Sequence, residues 1–267
     1  MALQKRTVKI IAITVIALII IGALLGIILG LVLRSDKVED KPELEVWPRG
    51  ADGGKEPKIS YKVSDNNTFL PWIRRLNDTL SEYNKIRTGS NAGKLVQCNY
   101  HTVLNKDQVC DVNVNLFYPC TAANNYNYQN GKPCVFLKLN KVANWVPNLF
   151  NTTESLPASM PLDLKQAIKP QSGKPEMNQV WVSCEGVSQE DKDSIGSLQY
   201  IPNSAHGFPS YYFPYAKQEA YLSPFVVVLF ENPTLDKPIN VVCKAWAKNI
   251  VDKNEQVSIR FQLKVDS

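Results

Sequence analysis

The side chains of this 267-residue chain that can do chemistry fall into three small sets. They are six cysteines, two histidines, and the asparagines of three Asn-x-Ser/Thr sequons. Thiolates either bind metal or pair as disulfides. Cys98 and His101 have a ligand-like C-x-x-H spacing, but Cys110 and Cys120 supply no second close pair. Cys134, Cys184 and Cys243 complete an even set, and the sequons start at Asn66, Asn77 and Asn151. Asn232 precedes a proline and does not qualify. Even cysteines and sequons in the same part of the chain point to an oxidising secretory compartment, where disulfides win over metal. Six cysteines permit many pairings, and spacing alone selects none of them.

Catalytic patterns are scarce. His101 and His206 are far apart in sequence, and no G-x-S-x-G elbow, H-E-x-x-H helix or Walker A loop occurs. Gly131-Lys132 lacks the earlier glycine of a phosphate loop and runs into Pro133. Asp191-Lys192-Asp193 is a D-x-D triplet in a polar loop, and His206 sits beside Gly207 in a Pro/Gly/aromatic stretch that reads as a surface turn. The expectation is a non-enzyme with no cofactor and no metal.

A membrane anchor is expected upstream of these residues. Ile10 to Leu33 carries no charge, and 20 of its 24 residues are apolar. About 20 such residues cross a hydrocarbon core of about 30 Å, and a signal peptide needs only about 7–15. Lys5, Arg6 and Lys9 precede the run without an acid, whereas Arg34, Lys37, Lys41 and Arg49 are interleaved with acids. With the cysteines and sequons outside, the chain reads as a single-pass type II plasma-membrane protein in the lipid bilayer. Its parts are a cytoplasmic tail (1–9), a transmembrane helix (10–33), an extracellular stalk (34–65) and a disulfide-stapled extracellular domain (66–267). Gly22, Gly26 and Gly30 recur every four residues, a flat strip on which another helix can pack. Three of the five net positive charges belong to the tail, so the outer part is nearly neutral and no nucleic-acid partner is expected.

The outer part mixes one helix with many strands. Phe69, Trp72, Ile73, Leu76, Leu80 and Tyr83 have helical spacing, with an N-cap near Thr68 and Pro71 in the first turn. Period-two alternation marks strands at Val112–Leu116, Val135–Leu139, Val180–Cys184, Ile239–Ala245 and Val257–Val265. Phe225 to Phe230 is a continuous apolar run, expected for a strand covered on both faces. Short strands with turn-rich connectors predict a mainly β sandwich. The cluster Phe208 to Tyr215 either closes a sandwich edge or forms a contact surface.

Several blocks carry a resemblance. GKPCVFLKLNKV (131–142), CEG (184–186), QYIP (199–202), YYFPYAK (211–217), YLSPFVVVLF (221–230) and CKAWAKNI (243–250) stand in one order, after VWPRG (46–50) and the glycine strip. The chain closely resembles the β subunit of the Na,K-ATPase and the related H,K-ATPase. That resemblance implies an immunoglobulin-like β-sandwich ectodomain and sequential disulfides, Cys98–Cys110, Cys120–Cys134 and Cys184–Cys243. It also implies a non-catalytic subunit in a heterodimer with a P-type ATPase α subunit, which it helps to fold, reach the surface and bind cations. Gly22, Gly26, Gly30, Tyr211, Tyr212 and Tyr215 become the expected partner contacts. Two departures stand out: the family's longer aromatic tail is missing, and the span offers Ile and Val where the family has a Tyr/Phe cluster. They motivate an alternative, a pump-independent surface glycoprotein with cell–cell adhesion partners.

Overall fold

Alternating side chains at the C-terminus form the longest ladder of the domain. The computed structural model describes residues 41–50, 56–202, 206–252 and 255–267, and the folded unit begins at Pro42. In chain order the strands are β1 (Leu44–Trp47), β2 (Lys58–Lys62), β3 (Leu95–Val96), β4 (Val109–Cys110), β5 (Cys134–Leu139), β6 (Gln179–Gly186) and β7 (Leu198–Ile201). They continue with β8 (Gly207–Pro209), β9 (Phe225–Phe230), β10 (Pro238–Trp246), β11 (Val251–Asp252), β12 (Glu255–Gln256) and β13 (Ser258–Asp266). The α-helices are α1 (Asn66–Thr88), α2 (Leu162–Ile168) and α3 (Gln189–Ser194). One sheet runs β1-β5-β9-β7 and the other β2-β13-β10-β6-β8. Within both, only β2 and β13 pair in parallel.

The two sheets bury facing rows of apolar side chains, including Val135, Leu137, Val226, Val228, Val241, Phe261 and Leu263. Phe230 meets Phe261 edge-on at 6.2 Å across the gap. The outer faces are covered as well. Phe136 and Phe225 point outward, where Tyr83 of α1, Phe117 and Tyr126 pack on them. On the far side, Trp181 and Trp246 are covered by Phe150, Met160, Leu164, Ile168 and Met177. Each such fully buried aliphatic or Phe side chain contributes about 1.5–3 kcal/mol relative to exposure.

Three local expectations differ from what is observed. The N-cap of α1 is Asp65, whose carboxylate accepts from the Asn67 N–H at 3.0 Å, so Pro71 falls in the second turn. Val112–Leu116 is not a strand but leads into a 3-10 turn, because the Asn113 side chain accepts the Asn115 N–H at 3.1 Å. Lastly, β1 and β2 both lie inside the stretch expected to be a stalk, so the ordered domain starts earlier than residue 66. Among the described residues no helix is long and apolar enough to cross a membrane. The span at 10–33, with Gly22, Gly26 and Gly30, lies outside them.

Candidate partner-docking site

Four segments far apart in sequence bring the tyrosines together. The Cys98–Cys110 disulfide closes a loop that β3 and β4 hold in parallel register. From that loop Tyr100 meets Tyr211 edge-on at 5.2 Å, and Tyr211 lies 4.7 Å from Tyr212. The Tyr212 hydroxyl donates to the Asp111 carbonyl at 3.0 Å. Asp111 in turn pairs its carboxylate with Arg87 in the last turn of α1. Both charged side chains are mostly buried, so the pair is shielded from solvent more than a surface ion pair is.

Beyond Tyr212 the chain turns outward. Tyr215 pairs with Ala143 as an isolated bridge and stacks on Tyr221 at 4.8 Å. Lys141 places its ammonium 5.6 Å from both rings and donates to the Tyr221 carbonyl at 3.3 Å. Burial lowers the Lys141 pKa, and the neighbouring Lys138 adds to the effect. Burial likewise pushes the phenols of Tyr100, Tyr211, Tyr212 and Tyr221 up, so all stay protonated. Between the disulfide loop and this strip lies a cleft of about 180 Å³, lined by Leu104, Gln108, Tyr211, Tyr212, Pro214 and Tyr221. Protonated, half-buried tyrosines around an apolar cleft offer flat contact area and hydroxyl donors, the chemistry of a protein contact.

Of the three tyrosines singled out in sequence, the structure groups Tyr211 and Tyr212 in this cleft, with Tyr215 beside it. Tyr212 also clamps the disulfide loop to the sandwich. Sequence reasoning missed Asp111, Lys141 and Tyr221, whose partners lie 101 and 80 residues away. Lys141 and Tyr221 signal themselves only as members of the blocks LNKV and YLSPF, and Asp111 lies in no block.

The remaining candidates are structural. Cys120–Cys134 closes the turn before β5, and Cys184–Cys243 joins directly opposed residues of β6 and β10 with a Cα separation of 4.0 Å. That last bridge lies within one sheet rather than between the two, as an antibody domain would have it. Cys98 is oxidised, so His101 has no thiolate neighbour, and the described residues hold no group of three metal-ligating side chains. Asp191 of the D-x-D triplet is a helix cap: α3 opens with a capping box in which Ser188 and Asp191 satisfy each other. His206 is half-buried rather than on a surface turn, its ring 4.3 Å from Tyr200. Burial lowers its pKa, while Asp163 acts in the opposite direction. Asn66, Asn77 and Asn151 are all exposed.

Three disulfides and a tyrosine-lined cleft define a stapled, mainly β domain. The chain belongs to the sodium/potassium ATPase beta chain family, whose model matches residues 13–265. It is 40% identical over 220 residues to sodium/potassium-transporting ATPase subunit beta-2 of Drosophila melanogaster, covering 80% of this chain and 68% of that one. Subunit beta-1 of the same fly is 39% identical over 234 residues, with 85% and 69% covered. Subunit beta-1 of Tetronarce californica is 27% identical over 273 residues, with 93% and 86% covered. Membership makes the chain a P-type ATPase subunit of the ion-transport class, non-catalytic and accessory.

Proposed function

We propose that this chain is the β subunit of a Na,K-ATPase-type cation pump, assisting the folding, membrane delivery and cation affinity of a catalytic α subunit. The observation that carries this is the extent of the family match, which takes in most of the apolar run as well as the β domain. The α subunit hydrolyses ATP and moves the ions; this chain is its heterodimer partner. The reading includes a type II plasma-membrane topology with tail 1–9 and span 10–33, an immunoglobulin-like ectodomain, and glycans on Asn66, Asn77 and Asn151. Gly22, Gly26 and Gly30 supply the packing face in the bilayer. Outside it, Tyr211 and Tyr215 present their rings to the α subunit and Tyr212 holds the surface in place. Affinity purification of the full chain from native membranes should recover a P-type ATPase α chain, and Tyr215→Ala should reduce that recovery. Repeated recovery of the chain without any α subunit overturns the proposal.

The span lacks tyrosine and phenylalanine altogether, which favours a second reading: an adhesion glycoprotein of the same family that works without the pump. It requires surface expression to survive depletion of every α subunit. Retention inside the cell under that depletion rejects it.

A further inference from the structure

Asn77 lies on the exposed flank of α1, and its amide is held from one side only. Its Oδ1 accepts a hydrogen bond of 2.7 Å from the Tyr126 hydroxyl, and among the described residues no acceptor meets its Nδ2. N-glycosylation replaces a hydrogen on Nδ2 and leaves Oδ1 as an acceptor. The Tyr126 contact therefore survives the modification and keeps the nitrogen facing solvent.

Tyr126 belongs to a turn of unusual composition. Ala122–Asn130 reads A-A-N-N-Y-N-Y-Q-N and holds five side-chain amides in nine residues. Asn125, Tyr126 and Asn127 all have positive φ, at 49°, 49° and 62°. For a bulky residue such as tyrosine this is a strained conformation that persists only where the surroundings enforce it. Here the Cys120–Cys134 bridge closes the turn, and the buried Tyr126 ring packs edge-on against Phe136 at 5.7 Å. The cost is repaid in placement: the ring is in the core and its hydroxyl is on Asn77, while exposed Gln129, accepting from Asn125 at 2.7 Å, keeps its Nε2 donors and exposed Asn130, donating to Asn127 at 3.0 Å, keeps its Oδ1 acceptor.

We propose that Asn77 and the amide-rich turn Ala122–Asn130 form a built seat for an N-linked glycan of the chain itself. Tyr126 is the positioning residue, and the amides of the turn hydrogen-bond the proximal N-acetylhexosamine. The inference rests on the reading that the residues after the span lie in the secretory lumen. The donor is a lipid-linked oligosaccharide diphosphate. The bond from sugar C1 to Asn77 Nδ2 forms, the C1–O bond to the diphosphate breaks, and the lipid diphosphate leaves with the proton shed by the amide. Burial pushes the Tyr126 phenol up to about 12, so it stays a donor throughout the lumenal pH range. Asn66 provides the internal contrast. It lies about 16 Å along α1 and only about 20° round it, on the same flank. No side-chain group of the described residues holds its amide. Among the described residues Asn151 has only the Lys248 ammonium, 3.3 Å from its Oδ1.

The test uses the full chain from a host that adds high-mannose glycans, with Asn66→Gln and Asn151→Gln leaving Asn77 as the one sequon. Melting temperature is read on the intact glycoprotein, after endoglycosidase trimming to a single N-acetylglucosamine, and, for complete removal, on the same chain made with glycan transfer blocked, because amidase release would turn Asn77 into aspartate. Trimming should change nothing, and complete removal should lower the melting temperature by about 2–4 °C. In Tyr126→Phe the difference between glycosylated and stripped protein should vanish. The paired exposed changes Gln129→Ala and Asn130→Ala should shrink it, and they test the seat even where Tyr126→Phe fails to fold. An occupied Asn77 whose glycan can be removed without a thermal shift overturns the seat. Glycopeptide mass spectrometry of the unmutated chain separates the two levels: Asn77 empty while Asn151 is occupied also sinks the seat, whereas all three sequons empty sinks the lumenal reading.

Discussion

Removing the carboxylate of Asp191 should destabilise the domain out of proportion to its position in a six-residue helix. Asp191 is 6% exposed. Its Oδ2 accepts from the Ser188 N–H at 3.1 Å and the Ser188 hydroxyl at 2.8 Å. Its Oδ1 accepts from the Asn240 N–H at 2.8 Å, which ties α3 to β10. Asp191→Ala strands two backbone donors, and each part-buried orphan costs about 1 kcal/mol at the low end of the usual range. Loss of the bond from the Ser188 hydroxyl adds about 1 kcal/mol. The total of about 3 kcal/mol corresponds to a fall of about 6–12 °C in melting temperature for a domain of this size. Tryptophan fluorescence of the detergent-solubilised chain reads it, because Trp181 and Trp246 report on β6 and β10 directly. Ser188→Ala alone should cost about 1 kcal/mol, and the double variant should hardly exceed Asp191→Ala, since both act on one network. A fall of less than about 2 °C, or full additivity, refutes this account. The same group governs part of the acid limb. Burial raises its pKa, but the hydrogen bonds from Asn240 and Ser188 outweigh that and hold it below the ordinary value. Its contribution is present above the unfolded carboxylate value of about 3.9 and is lost as pH falls through the lower folded value.

Gly186, last residue of the CEG block, leaves no room for a side chain. A Cβ there would fall on the backbone nitrogen of Lys192 and the carbonyl of Asp191. Gly186→Ala should therefore cost about 3 kcal/mol or more by pushing α3 off the sheet, seen as a lower urea midpoint with an unchanged slope; an unaltered midpoint would show that α3 yields freely. For His206 the sign runs the other way from a paired histidine. Burial holds its folded pKa below the unfolded value of about 6.5, so its contribution is complete above that pH and falls as pH drops through it. His206→Gln should flatten the change in urea midpoint between pH 7.5 and pH 5.5, and an identical slope in both proteins would rule the residue out.

Much of the fold is legible from pattern alone, and the exceptions have physical causes. Val257–Val265 alternates because one face of β13 meets the core and the other meets water. Phe225–Phe230 is apolar throughout because β9 is covered on both sides. The same period-two rule undersells β5 and β6. It marks Val135 and Val180 as inward, yet Phe136 and Trp181 are equally buried, under α1 with its neighbours and under residues 150–177. Local pattern does not reveal such covering layers. At Val112–Leu116 alternation misleads, since Asn113 spends its side chain on the backbone and Leu116 is left 66% exposed. Strands β1 and β2 do alternate, Ile59 and Tyr61 being buried between exposed Lys58, Ser60 and Lys62, but they stand among the charges and prolines of 34–65 that read as a stalk. The tyrosines of the cleft are visible as a cluster, but their anchors are not, because Asp111 and Tyr212 are 101 positions apart in the chain.

The parallel pairing of β2 with β13 sets a schedule for synthesis. Lys58–Lys62 finds its place only beside Gln262–Asp266, about two hundred residues later and next to the last residue of the chain. Helix α1 leans on β2 through the Trp72 indole, which donates to the Ser60 carbonyl at 3.0 Å. A ribosome moving at about 5–20 residues per second needs about 10–40 s to travel between these two strands. Throughout that interval β2 lacks its neighbour β13, and Ile59 and Tyr61, both buried in the finished domain, have α1 beside them but no sheet. The nascent chain thus presents β2 to whatever attends it in the cell for as long as the about two hundred residues up to β13 take to emerge.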